Sequence, residues 1–124
     1  MTPDAQKHLE SAEEFLRESE HLIAGGFYRG GIGRAYYAMF HAATAALLEK
    51  KIERTSHHAT IAAFGEIFVK PGTIGKEYHQ YIRKAFASRN ECDYLPFVSA
   101  GKSQAQTVLQ RAIEFVEVCR RLCG

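Results

Sequence analysis

Apolar residues recur at steps of three and four along the stretch from Tyr28 to Lys51. Ile32, Ala35, Tyr36, Met39, Phe40, Ala43, Ala46 and Leu47 fall on one side of an α-helix. Arg34, Tyr37, His41 and Leu48 follow the same period one step round. A helix that is apolar on one side and semi-polar on the next has neighbours on more than one face. The spacing therefore predicts the central helix of a bundle, with alanines that let partner helices come close. Gly30, Gly31 and Gly33 near its start are poor helix formers, and close backbone packing or a frayed first turn accounts for them. They make no phosphate loop, because no strand precedes them and no Lys-Ser/Thr follows.

The same periodicity marks four more helices. The first is predicted from Pro3 to about Ala24, with Thr2 as N-cap, Pro3 in the first turn and Asp4 at the positive end of the dipole. Its buried stripe is Leu9, Ala12, Leu16, Ser19 and Ile23, and Gly25-Gly26 ends it. Thr55 or Ser56 caps a third helix carrying Ile61, Phe64, Ile67 and Phe68, stopped by Pro71-Gly72. A fourth starts near Thr73 or Ile74, buries Tyr78, Ile82, Ala85 and Phe86, and closes at Pro96. The last, about Ser99 to Leu122, buries Ala105, Val108, Leu109, Ala112, Val116, Cys119 and Cys123. With no convincing strand and short connections, the expected fold is all-α, an up-and-down antiparallel bundle of four to five helices in a single domain, residues 1–124.

Composition changes this picture only at its edges. A hydrophobic content of 46% in 124 residues suffices for one core. No run reaches the roughly 18–20 apolar residues of a membrane span. The polar, acidic N-terminus is not a signal peptide. Three cysteines, Cys92, Cys119 and Cys123, have no framework spacing, which fits a reduced, cytoplasmic setting. Charge is uneven: residues 1–28 hold six acids against two bases, and residues 29–89 hold ten bases against four acids. Such a split leaves room for an anionic partner, though it is weaker than the stripe of a dedicated nucleic-acid binder.

The polar residues on apolar faces are the candidates for chemistry. Arg89 continues the apolar stripe of the fourth helix, where an unpaired charge is costly. Asp93, one turn on, offers a carboxylate, and the hydroxyl of Tyr94 offers another acceptor. Spacing alone favours a structural ion pair there. Arg34 and Tyr37 are one turn apart, and the pattern favours a packed ring and a snorkelling arginine. The functional alternative places Arg34 and Arg89 on a shared cleft for a phosphate or carboxylate. His57 and His58 point about 100° apart, His41 has Ala45 at i+4, and Cys119 and Cys123 sit in an apolar stripe, so no metal site or cofactor is expected.

The run Gly33-Arg34-Ala35-Tyr36-Tyr37-Ala38-Met39-Phe40-His41-Ala42-Ala43 resembles the second-helix signature of small HEPN-domain proteins. Three further pieces resemble the family in order: His57 seven residues before Phe64; Phe68-Val69-Lys70 with Gly72; and Arg89-Asn90-Glu91-Cys92-Asp93-Tyr94, similar to an Arg-x-x-x-Asp-Tyr element of its short prokaryotic members. The resemblance spans nearly the whole chain. It implies a compact bundle, a homodimer, and a nucleotidyltransferase-like partner in a toxin–antitoxin-like pair. On that footing the preferred reading is a ligand-binding cleft made of Arg34, Tyr37, Arg89, Asn90, Asp93 and Tyr94, facing a nucleotide, RNA or an acidic partner surface.

Catalytic members of that family are metal-independent RNases with an Arg-x4–6-His motif. Here the histidine is missing: position 94 is tyrosine, and no histidine follows His79. A phenol with an ordinary pKa of about 10 replaces it poorly near neutrality. An RNase reading therefore needs Arg89 with a proton-transfer histidine displaced to His57, or to His41. A third reading is a dimerising bundle with no ligand.

Overall fold

The computed structural model describes residues 1–95 and 99–124. Helix α1 spans Pro3–Ala24, α2 Tyr28–Glu49, α3 His57–Phe64, α4 Lys76–Tyr94 and α5 Lys102–Cys123. A π-helical turn, Gly65–Val69, continues α3. Among the described residues there is no strand, and no helix is long and apolar enough to cross a membrane. The expected all-α bundle is what the chain forms.

Local chemistry sets several of the boundaries. The Thr2 hydroxyl accepts the Ala5 N–H at 3.1 Å, and the Ser56 hydroxyl accepts the Ala59 N–H at 3.0 Å, each satisfying a donor that the first helical turn leaves open. Gly26 ends α1 at φ +86°, a left-handed conformation that glycine adopts without strain. Because that turn is short, α2 folds straight back along α1, and the Thr2 N–H reaches the Glu49 carboxylate at 2.8 Å. Helix α4 runs against α2, its Phe86 lying beside Tyr36 and its Cys92 beside Arg29. Helix α5 runs against α4, with Arg111 over the Tyr81 ring and Gln104 near Ser88.

The helix at the centre is α2. Ile32, Ala35, Tyr36, Ala38, Met39, Ala42, Ala43 and Ala45 are all fully buried, on more faces than one stripe can supply. Its glycines serve close approach at one position above all. A Cβ on Gly31 would sit 2.5 Å from Ile23 Cγ1, so α1 and α2 touch there backbone to side chain. The buried Ser19 hydroxyl donates to the Gly31 carbonyl at 2.7 Å, which explains a serine in an otherwise apolar stripe.

Some boundaries differ from expectation. The third helix does not run evenly to Pro71. At Gly65 it widens, and the Lys70 N–H bonds the Gly65 carbonyl five residues back. The cause comes from α4: the His79 ring fills the space where a Gly65 Cβ would stand, 2.7 Å from Nε2, and contacts the Ile61 carbonyl at 3.2 Å. Helix α4 starts at Lys76 rather than Thr73 or Ile74, after Gly75 in extended conformation, and α5 starts at Lys102 rather than Ser99, after extended Gly101. The expected stop at Pro96 lies outside the described residues. Phe115 is fully buried against Phe64, 5.0 Å between ring centroids, although it is absent from the expected stripe of the last helix.

Candidate functional site

Arg89 lies near the end of α4, where that helix crosses the start of α2. The Arg89 stem passes 4.0 Å from where a Gly33 Cβ would be, an ordinary contact distance. The Arg89 side chain is only 14% exposed. Its Nη2 donates to the Tyr37 hydroxyl at 2.6 Å, its Nη1 donates to Asn90 Oδ1 at 3.2 Å, and its carbon Cζ stands 5.2 Å from the Tyr37 ring centroid. Nε is 2.9 Å from Asp93 Oδ2, but its N–H is not directed at that oxygen and finds no other acceptor among the described residues. Arg89 and Asp93 thus attract as charges without forming a proper hydrogen bond. Asp93 is itself 45% exposed, so the attraction is screened.

In front of Tyr37 and Asp93 lies a shallow, open pocket of about 420 Å³. Arg29 and Arg34 provide its cations, Gly33 and Cys92 part of its floor. Arg89 supports this pocket from behind. Arg34 also reaches across to Glu18 of α1 at 2.9 Å, with both side chains more than a third exposed. Burial pushes the Cys92 thiol up in pKa, with Arg29 pulling the other way.

The expected site residues are therefore partly gathered. Arg34, Tyr37, Arg89, Asn90 and Asp93 converge. Tyr94 does not: it is 71% exposed, and the hydroxyl that Arg89 takes belongs to Tyr37 instead. The reason is that Tyr94 ends α4, beyond the part that α2 covers. Arg29 completes the pocket and was not singled out from the sequence, although steps of four from Tyr37 lead through Gly33 to it.

His57 occupies a separate place behind the site. Its ring packs with Phe40, at 4.6 Å, and Phe86, at 5.5 Å, and its Nδ1 is 2.5 Å from the Tyr36 hydroxyl. Burial pushes the Tyr36 phenol far up, so it keeps its proton while it shares a hydrogen bond with Nδ1. Burial, then the charges of Arg89 and His58, hold His57 below its ordinary 6.5. The imidazole therefore favours its neutral form at pH 7. His41 is engaged elsewhere, its Nδ1 2.9 Å from Nδ1 of His8. Neither ring lines the pocket. Among the described residues, no three His, Cys, Asp or Glu side chains gather as metal ligands would.

The family model described as the HEPN domain matches residues 5–122. Two proteins of Methanocaldococcus jannaschii, each named "Putative toxin", are similar: one is 30% identical over 118 residues, 95% of this chain and 80% of its own length. The other is 34% identical over 114 residues, 92% of this chain and 84% of its own length. A Thermotoga maritima protein named "UPF0332 protein" is 28% identical over 111 residues, covering 90% of this chain and 84% of its own. With a match across almost the entire bundle, including the α2–α4 crossing that holds Arg89, the chain belongs to the HEPN-domain family.

Proposed function

We infer that this chain is a cytoplasmic, homodimeric HEPN module of a toxin–antitoxin-like pair, acting with a nucleotidyltransferase-like protein, and that its α2–α4 pocket takes an anionic group. The toxin names of its relatives support the class of system. The single observation that carries the site is the state of Arg89: a mostly buried side chain, positioned by Tyr37 and Asn90, with a weakly held carboxylate beside an Nε that has no acceptor among the described residues. In this reading Asp93 occupies the place of an incoming anion. A phosphate that displaces it meets Arg29 and Arg34, which line the pocket, with the charge of Arg89 behind them. RNA or a nucleotide supplies such a phosphate, and an acidic partner surface supplies a carboxylate.

A second reading, metal-independent RNA cleavage, draws on the neutral state of His57, which suits a proton acceptor. Against it, Nδ1 is already engaged by Tyr36 and the ring does not line the pocket. One experiment separates the readings: labelled single-stranded RNAs without metal, mixed with wild type, Arg89→Ala and His57→Ala. Binding without cleavage, lost only in Arg89→Ala, is the expected result. Cleavage lost in both variants would replace it with the nuclease reading and make His57 its proton carrier. Neither binding nor cleavage would leave the acidic protein surface as the ligand, tested by copurification with a nucleotidyltransferase.

A further inference from the structure

Where α4 and α5 run side by side, the two helices leave a groove of about 390 Å³ that Arg89 does not line. Interiors of this kind are ordinarily close-packed, so a gap of ligand size at a helix seam calls for a cause. It lies in the small residues at the seam, Ala85, Ala87 and Ser88 on α4 and Thr107 on α5. Met39 of α2, fully buried, and Val108 give the groove an apolar floor.

Its charged lining is of one sign. Lys84 and Arg111 face it from opposite helices, and no carboxylate lines it. Among the described residues neither cation has an acidic partner within ion-pair distance; Arg111 instead lies 5.3 Å from the Tyr81 ring centroid. Ser88, Gln104 and Thr107 add neutral hydrogen-bonding groups at the walls. An apolar floor beneath two cations from different helices is complementary to one kind of molecule.

We propose that this groove is a second binding site, separate from the Arg89 pocket, for a small amphipathic anion: an apolar body on Met39, Ala85 and Val108, and one carboxylate, phosphate or sulfonate between Lys84 and Arg111. The anionic end takes charge-assisted hydrogen bonds from both cations, and the body removes apolar surface from water.

The test uses the full chain with anilinonaphthalene sulfonate, whose fluorescence rises on leaving water, and its uncharged counterpart N-phenylnaphthylamine. The sulfonate is expected to bind one per chain, to move the amide NMR signals of Ala87, Ser88 and Val108, and to bind more tightly than the uncharged probe. The Lys84→Gln, Arg111→Gln double variant is expected to weaken it roughly tenfold or more. Thr107→Trp, which fills the groove, is expected to abolish binding while circular dichroism stays unchanged, and Arg89→Ala to leave it intact. Octanoate and phenyl phosphate as competitors separate a carboxylate ligand from a phosphate one. Equal affinity for the neutral probe, retention in the double variant, or NMR shifts confined elsewhere would overturn the proposal. So would an absence of binding.

Discussion

Two glycines of one helix turn, Gly31 and Gly33, should respond to alanine with opposite signs. Both lie inside α2, where replacing glycine by alanine gains about 0.8–1.0 kcal/mol in helix propensity. At Gly33 the new methyl meets only the Arg89 stem at 4.0 Å, an ordinary contact, so the gain should survive. At Gly31 it would stand 2.5 Å from Ile23 Cγ1, 3.1 Å from Cδ1 and 3.4 Å from the Ser19 carbonyl. Cγ1 is near the root of a buried side chain and cannot swing aside, so α1 and α2 must separate. Overpacking of that kind costs about 1–3 kcal/mol. Loosening the buried Ser19–Gly31 hydrogen bond adds about 1 kcal/mol or more. Gly31→Ala should thus lose roughly 1–3 kcal/mol net, while Gly33→Ala gains up to about 1 kcal/mol. Urea denaturation followed by circular dichroism measures both, with the slope checked for constancy. A Gly31→Ala protein as stable as Gly33→Ala would refute the close crossing of α1 and α2.

Other expectations rest on single contacts. Gly65→Ala should destabilise by about 1–3 kcal/mol, because its Cβ would meet the His79 ring, and adding His79→Ala should recover part of the loss; no recovery would remove His79 as the wedge of the π-turn. A Tyr37→Phe, Arg89→Ala double-mutant cycle should show a coupling of about 1 kcal/mol or more, as suits a hydrogen bond from a charged donor, whereas Asp93→Asn should change stability by no more than about 0.5 kcal/mol. His41, His57 and His79 are all held below 6.5, burial being the first cause in each. The unfolded chain therefore takes up protons below about 6.5 that the folded chain resists, so stability is full above that pH and falls on acidification. Denaturation midpoints at pH 7.5 and 5.5 should show this loss, and His57→Gln should reduce it; a flat profile would contradict the burial of these rings.

How much of this was legible in the sequence follows the range of each interaction. The caps at Thr2 and Ser56, the extents of α1 and α2 and the pairing of Arg89 with Asp93 depend on residues within a turn of each other, and periodicity carries them. The π-turn depends on His79, fourteen residues beyond Gly65 and on another helix, so no local pattern announces it. Tyr36 and Tyr37 are neighbours with the same side chain, yet one hydroxyl serves His57 and the other Arg89. Only the placement of α3 and α4 around α2 decides which. The same placement leaves Tyr94 in solvent and brings Arg29 into the pocket, both of which a reading along α4 alone misses.

The reading of Asp93 as a stand-in for an incoming anion is tested most directly by fluorescence anisotropy of a labelled single-stranded RNA, titrated with wild type, Asp93→Asn and Arg89→Ala at one fixed ionic strength. Removing the competing carboxylate should tighten binding and removing the guanidinium should weaken it roughly tenfold or more, with both variants still folded. Weaker binding by Asp93→Asn, or affinities unchanged in both, would contradict it and leave the Arg89 cluster as a brace between α2 and α4.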